Sequence, residues 1–128
     1  MRARFAVAVG LGLVFAAAWG ARAADDFEAK VKAADAAKGA QVFAQYCATC
    51  HGPKGLGDGP VGKTLNPPPR NFQEAKFKYG DTSKDHFDVI TNGAASKGGS
   101  PLMAPWGKVI PEADRWALVK YVESLKKK

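Results

Sequence analysis

The stretch Cys47-Ala48-Thr49-Cys50-His51 decides how this chain of 128 residues folds. Its two thiols lie three positions apart, an imidazole follows directly, and these 2 Cys are all that the sequence contains. At the end of a helix, both thiols can reach the two vinyl groups of one porphyrin while the imidazole lies beneath its iron. The spacing therefore predicts one covalently attached haem c.

Three other uses of the same side chains remain open. A thioredoxin-like redox pair has the same cysteine spacing, but it normally belongs to a strand-and-helix context that the sequence lacks. A zinc site needs four ligands, so His86 would have to join the three side chains of the motif. A disulfide would close an unusually short loop. Because neighbouring Cys50 and His51 chelate one tetrahedral ion awkwardly, the haem is favoured.

The iron of such a haem needs a second axial donor, and Met103 is the only methionine after the initiator. Met103 lies in Ser100–Trp106, whose two prolines predict an irregular backbone that can turn a side chain inward. It could instead fill the core. His86 is the competing donor, but it adjoins Phe87, which the helical pattern turns inward, so we expect His86 on the surface. His51 and Met103 are therefore the expected metal ligands.

Helical patterns occupy both ends of the region after residue 23. Asp35 predicts an N-cap, and a final helix starts at Pro111. The expected buried faces are Gly39, Val42, Phe43 and Tyr46 in the first helix and Leu118, Tyr121, Val122 and Leu125 in the last. These two faces should pack together, with Gly39 permitting a close approach of the backbones.

Between these ends, a short helix is predicted over residues 84–91, with Phe87 and Ile90 inward and Asn92-Gly93 ending it. Residues 52–71 contain five Gly and five Pro and should form a long loop. No alternating run typical of a strand occurs outside the leader. We therefore expect an all-α fold of about four short helices and long loops wrapped round one haem.

Residues 1–23 resemble a secretory signal peptide. A basic start precedes the apolar run Phe5–Trp19, and Ala21-Arg22-Ala23 has small residues at the two positions that a signal peptidase reads. We predict cleavage after Ala23, which leaves residues 24–128 as one domain in the periplasm with no membrane insertion. The alternative is an uncleaved anchor facing the periplasm, although the run is shorter than the about 20 residues that span a bilayer.

The charge of the chain depends strongly on this leader. Removing it lowers Lys and Arg from 19 to 16 against 12 Asp and Glu, which leaves a net charge of +4 instead of +7. No basic stripe interleaved with aromatic residues is visible, so nucleic acid is excluded as a partner.

From about Ala34 to Leu125 the chain resembles the class I monohaem cytochromes c of bacterial type. The resemblance rests on five features: residues 47–52, the loop Gly55–Pro60, Leu65 with Pro67–Phe72, Met103, and Tyr121 in the final helix. One departure is Ala104, which separates Met103 from Pro105, where family members often have proline directly after the ligand.

The resemblance implies further contacts. Gly39 and Phe43 should meet Leu118 and Tyr121. A loop carbonyl, that of Pro60 or else one within Pro67–Pro69, should accept the second ring N–H of His51. Arg70 and Trp106 are candidate partners of the haem propionates, with an exposed arginine and a core indole as the alternatives.

If protein side chains fill both axial positions, no iron site remains for substrate or oxygen, so we expect a carrier and not an enzyme. The predicted function is a soluble periplasmic cytochrome that passes single electrons between larger redox proteins through transient contacts. Lysines such as Lys54, Lys76 and Lys97 could steer acidic partners. The alternatives are an electron-input subunit of a larger oxidoreductase complex, or a haem sensor or peroxidase if Met103 does not ligate.

Overall fold

The computed structural model describes residues 26–127, and the predicted signal peptide over residues 1–23 lies outside them. The described region contains five α-helices and two short 3₁₀ helices. These are α1 over residues 26–33, α2 at Ala36–Tyr46, α3 at Ala48–His51, α4 at Ser83–Asn92 and α5 at Glu112–Ser124, with 3₁₀ turns at Gly62–Thr64 and Ala94–Lys97. The same region has no strand, and the predicted all-α fold is confirmed.

Helix α2 packs along α5, as the two apolar faces predicted. The closest approach is at Gly39, where a Cβ atom would lie 2.1 Å from the Ala117 carbonyl oxygen and 2.9 Å from the Tyr121 Cβ. One turn later, the rings of Phe43 and Tyr121 lie 5.2 Å apart. The Asp35 side chain accepts hydrogen bonds from the Ala37 and Lys38 amides and caps α2 as predicted.

Helix α1 was not predicted, although Phe27, Val31 and Ala34 follow helical spacing. Val31 is buried, and the Phe27 ring lies 5.5 Å from that of Trp116. The Lys120 ammonium donates to the carbonyls of Lys32 and Ala34 at 2.8 and 2.7 Å. Because these carbonyls lie at the end of α1, a cation from α5 satisfies acceptors that the helix leaves unpaired.

Helix α4 extends the predicted span by one residue at each end. Thr82 caps it in a reciprocal capping box with Asp85, and Gly93 ends it with a φ of +76°. Ile90 is buried, and Phe87 stacks on Trp116 with ring centroids 3.7 Å apart. Over the described residues, no helix has both the length and the hydropathy needed to cross a membrane.

Replacing Gly39 with alanine tests the helix crossing. At an open helical site, Gly→Ala stabilises a protein by about 0.4–1 kcal/mol. At Gly39 the added methyl group meets the Ala117 backbone, so we expect a loss of about 1–3 kcal/mol of unfolding free energy. Thermal and denaturant unfolding would measure it, with Gln41→Ala on the exposed side of α2 as the control. A stabilised Gly39→Ala protein would contradict the close approach.

The capping box of α4 should make stability depend on pH. The Thr82 hydroxyl donates to the Asp85 carboxylate at 2.6 Å, and this bond is the largest cause of a lowered Asp85 pKa. A lowered pKa in the folded protein means that the stabilisation is present above the unfolded pKa, about 3.9, and is lost as the pH falls through the folded value. Asp85→Asn should therefore cost about 1 kcal/mol at neutral pH and little in acid. Melting temperatures of the wild type and Asp85→Asn would be measured across pH. A difference between the two proteins that does not change with pH would contradict this role of the Asp85 carboxylate.

Candidate functional site

A cavity of about 580 Å³ lies between the helices and the long loops. Its walls combine side chains from α2, α3, α4 and α5 with residues of the loops over 56–80 and 100–106. The lining is mainly apolar and includes Tyr46, Leu65, Val89, Ile90, Leu118 and Val122. Such a cavity suits a large apolar ligand with a few polar groups.

The two thiols of the motif lie on one wall of this cavity. Cys47 directly follows α2 and is buried, whereas Cys50 lies in α3 and is half-buried; neither forms a disulfide. Burial, with a smaller contribution from Cys50, raises the pKa of the Cys47 thiol to about 12. Cys47 is therefore a protonated thiol at neutral pH, which disfavours a reactive redox cysteine.

His51, the last residue of α3, contributes its imidazole to the same cavity. The ring stacks on Phe72 with centroids 4.5 Å apart, and its Nδ1–H donates to the Arg70 carbonyl at 3.3 Å. Burial lowers the pKa of His51, and the hydrogen bond to Arg70 opposes this only in part. His51 is therefore a neutral imidazole whose Nε2 lone pair is available to a metal.

The carbonyl that faces His51 belongs to Arg70, so the prediction of Pro60 was wrong. The neighbours of Pro60 bind the backbone of the haem motif: Gly59 donates to the Cys50 carbonyl and Val61 to the Thr49 carbonyl. These bonds hold Pro60 against the helical end, and Pro60 itself is exposed. The Arg70 carbonyl lies one residue beyond Pro67–Pro69, the second choice from the sequence.

The loop after α4 brings Met103 to the cavity. Met103 is half-buried, and its carbonyl accepts a hydrogen bond from the Ala94 amide at 3.1 Å. Trp106 lines the cavity as well, and its ring lies 5.5 Å from that of Tyr46. The structure therefore brings Cys47, Cys50, His51, Met103, Arg70 and Trp106 to one cavity, whereas Pro60 does not line it.

His86 is buried, which contradicts the expected surface position. It lines the cavity and lies between two oxygen acceptors, the Glu123 carboxylate at 2.8 Å from Nδ1 and the Gly80 carbonyl at 3.2 Å from Nε2. Because both ring nitrogens already have partners, His86 is poorly suited to bind a metal. Within residues 26–127, no three His, Cys, Asp or Glu side chains are grouped to hold a metal ion.

The donor set and the space of the cavity test whether it fits a haem. Two thiols and a neutral imidazole lie on one side of a mainly apolar cavity of about 580 Å³, which is the combination that a covalently attached porphyrin needs. The residues present therefore fit the group that the motif implies. The Arg70 guanidinium pairs with Glu74 at 2.5 Å and donates to the Lys76 carbonyl, and its Nε is enclosed by protein. A contact of Arg70 with a haem propionate stays a prediction.

Residues 34–122 match the family model described as cytochrome c oxidase, cbb3-type, subunit III. The chain belongs to this family. The resemblance to class I monohaem cytochromes c is thereby confirmed, and the cofactor of the domain is a covalently bound haem c.

Curated relatives and a solved structure agree with the family. The chain is 36% identical over 90 residues to the cbb3-type cytochrome c oxidase subunit FixP of Azorhizobium caulinodans, covering 70% of this chain and 27% of that subunit. It is 33% identical over 93 residues to subunit CcoP of Azospirillum brasilense, covering 73% and 29%. A chain of the Kuenenia stuttgartiensis reducing HAO-like protein complex Kustc0457/Kustc0458 aligns with a TM-score of 0.57 and 32% identity, covering 70% of this chain and 41% of that one.

The chain thus spans less than a third of the length of the curated subunits that it matches. The named relatives are subunits of oxidases and a chain of a redox complex. This supports a role of the family in electron transfer within larger assemblies, while the activities of those assemblies belong to the relatives.

Removing one thiol tests the attachment of the haem. Cys50→Ala leaves one thioether bond, so the fraction of polypeptide carrying haem should fall and the remaining product should unfold more readily, because cofactor and core are coupled. Intact mass and haem absorbance per polypeptide would measure this after expression in a host that matures c-type cytochromes. Thr49→Ala, exposed within the same motif, is the matched control and should be fully loaded. Equal loading of both variants would count against Cys50.

Proposed function

We propose that this chain is the electron-transfer domain of a larger oxidoreductase complex, exported to the periplasm, and that Cys47, Cys50, His51 and Met103 hold its haem. The observation that supports this haem site is that these four side chains line a single, mainly apolar cavity. The cofactor supplies a one-electron change at its iron when bound. The chain itself carries electrons and catalyses no reaction.

The residues around the cavity have separable roles in this proposal. Cys47 and Cys50 form the thioether bonds, and His51 presents Nε2 because its Nδ1–H is held by the Arg70 carbonyl. The Phe72 ring, stacked on the imidazole, limits its rotation. A thioether donor from Met103 would favour the reduced iron and a more positive potential than a second imidazole. With both His51 and Met103 as donors, no iron position would be left for a substrate.

The relatives support membership of a complex over free diffusion, because each is named as part of a larger redox assembly. Exposed lysines suit an acidic protein partner, whether the chain belongs to a complex or diffuses freely. Lys54 and Lys76 are exposed in the loops near the cavity and form no ion pair with any described residue. Lys97 differs from the expectation, because its ammonium lies 3.6 Å from Asp85 and 3.7 Å from Asp88. Of the three steering lysines, Lys54 and Lys76 are therefore the ones free to meet an acidic partner.

Native separation of host extracts tests the proposal against a free periplasmic carrier. A gentle detergent extract and a periplasmic fraction would be run on native gels, stained for haem and probed with an antibody to this chain. We expect the signal to migrate well above the 13.6 kDa of the chain. The same band should have oxidoreductase activity. A signal confined to the periplasmic fraction at the size of the monomer would favour the soluble carrier. Its N-terminal sequence would also test cleavage after Ala23.

Replacing the second axial donor gives a test on purified protein. Met103→His should keep the haem attached and lower the midpoint potential, because imidazole stabilises oxidised iron relative to a thioether. Val109→Ala is the control, since Val109 is 56% exposed, does not line the cavity and leaves the donor in place. Redox titration followed by absorbance would measure both. An unchanged potential in Met103→His would remove Met103 from this role and favour a sensor or peroxidase.

A further inference from the structure

The loop that carries Met103 also caps the end of α4. The last carbonyls of a helix have no partner within the helix itself. In α4, the Ile90 carbonyl accepts from the Trp106 amide and the Thr91 carbonyl from the Gly107 amide, both at 3.0 Å. The Ala94 amide returns a hydrogen bond to the Met103 carbonyl at 3.1 Å. The backbone of residues 103–107 therefore packs against the end of α4 in what we call the loop–α4 contact.

Gly93 lies at the centre of the loop–α4 contact. A Cβ atom at Gly93 would lie 2.8 Å from the Met103 carbonyl oxygen, 3.0 Å from the Pro105 nitrogen and 3.2 Å from the Ala104 carbonyl carbon. Its φ of +76° is a second reason for glycine, because side chains with a Cβ rarely adopt such angles. Any larger residue would press on the backbone of Met103 and the two residues after it.

The helix is less free to move than the loop. The Arg115 guanidinium donates to the Thr91 hydroxyl at 2.6 Å, and Phe87 stacks on Trp116 at 3.7 Å, so α5 holds α4 from two points. By contrast, Ala104 and Pro105 are exposed, and Met103 is half-buried. Pressure at Gly93 would therefore move the Met103 segment and not α4.

We propose that Gly93 is a positioning residue for the Met103 sulfur. The missing side chain lets the Met103 backbone rest directly on the end of α4, and this sets how closely the thioether approaches the iron. Gly107 lies at the other end of the loop–α4 contact, where a Cβ would lie 2.9 Å from the Thr91 carbonyl oxygen. The inference rests on the proposed function, because it takes Met103 as an axial ligand.

Gly98 provides a control for a positive φ without a collision. Its φ of +73° is close to that of Gly93, but a Cβ at Gly98 would have no atom within 4 Å. Its ψ of +18° is left-handed helical, whereas the ψ of +162° at Gly93 is almost restricted to glycine, so alanine strains the backbone more at Gly93. Gly107→Ala therefore complements this control, because Gly107 meets the end of α4 at an ordinary φ. A changed ligand environment in both Gly93→Ala and Gly107→Ala, but not in Gly98→Ala, isolates the contact from the strain.

The experiment compares haem-loaded wild type, Gly93→Ala, Gly98→Ala and Met103→Ala. The readouts are the far-red sulfur-to-iron absorption band of the ferric protein, carbon monoxide binding by the ferrous protein, and the midpoint potential. We expect Gly93→Ala to lose most of the band, bind carbon monoxide like Met103→Ala, and have a lower potential. Gly98→Ala should keep the band, exclude carbon monoxide and keep the wild-type potential, even if its melting temperature falls.

Equal spectra and potentials in Gly93→Ala and Gly98→Ala would overturn the inference while leaving Met103 as the ligand. If the wild type itself lacks the band and binds carbon monoxide, both the inference and the axial role of Met103 are wrong. If Gly93→Ala yields no folded protein, Gly107→Ala replaces it in the experiment. Alanine at Gly107 also collides within the loop–α4 contact, but Gly107 has no positive φ. A weakened band in Gly107→Ala supports the inference, and an unchanged band overturns it.

Discussion

The contact between α2 and α5 at Gly39 is the constraint on which the site depends. Because the Gly39 backbone rests against the Ala117 carbonyl, the axis of α2 is fixed relative to α5, and the haem motif begins at the residue after α2 ends. Phe43 extends the same contact towards the ligand: its ring lies 5.2 Å from Tyr121 and 6.2 Å from Phe72, which in turn stacks on His51. The orientation of the imidazole is thus linked to the helix crossing through two aromatic rings.

The cofactor forms part of the core of this domain. Phe43 and Val119 are fully buried in the protein core, whereas Leu118, Val122 and Ile90 line the cavity of about 580 Å³. A domain of about a hundred residues has a modest apolar core of its own, so contacts with the haem contribute a substantial share of its stability. Covalent attachment of the haem keeps that share in place.

The sequence was informative where the interactions are local. Asp35 as a cap, the Gly39 crossing and the bounds of α4 to within one residue follow from patterns within a few turns of helix. Helix α1 is a local pattern that was missed, and the other misses involve partners far apart in the chain. His86 is buried because Glu123, 37 residues later, meets its ring, and no helical pattern records such a pair.

The acceptor for His51 could not be predicted from residue types for a related reason. Every residue has a carbonyl, so only the path of the loop decides which one faces the imidazole, and that path depends on Gly57. A Cβ at Gly57 would lie 2.4 Å from the Pro69 carbonyl oxygen, so glycine permits the two loop segments to cross there. The axial roles of His51 and Met103 remain predictions from the motif and the fold.

Arg70 serves the proximal side of the cavity in two chemically independent ways. Its main-chain oxygen holds the imidazole, and any amino acid on the same loop path would provide that oxygen. Its guanidinium, by contrast, is specific to arginine, pairs with Glu74 and donates to the Lys76 carbonyl. Relatives of this domain could therefore replace Arg70 and alter the charge at this edge of the cavity, while every substitute on the same backbone path inherits the oxygen that orients the imidazole.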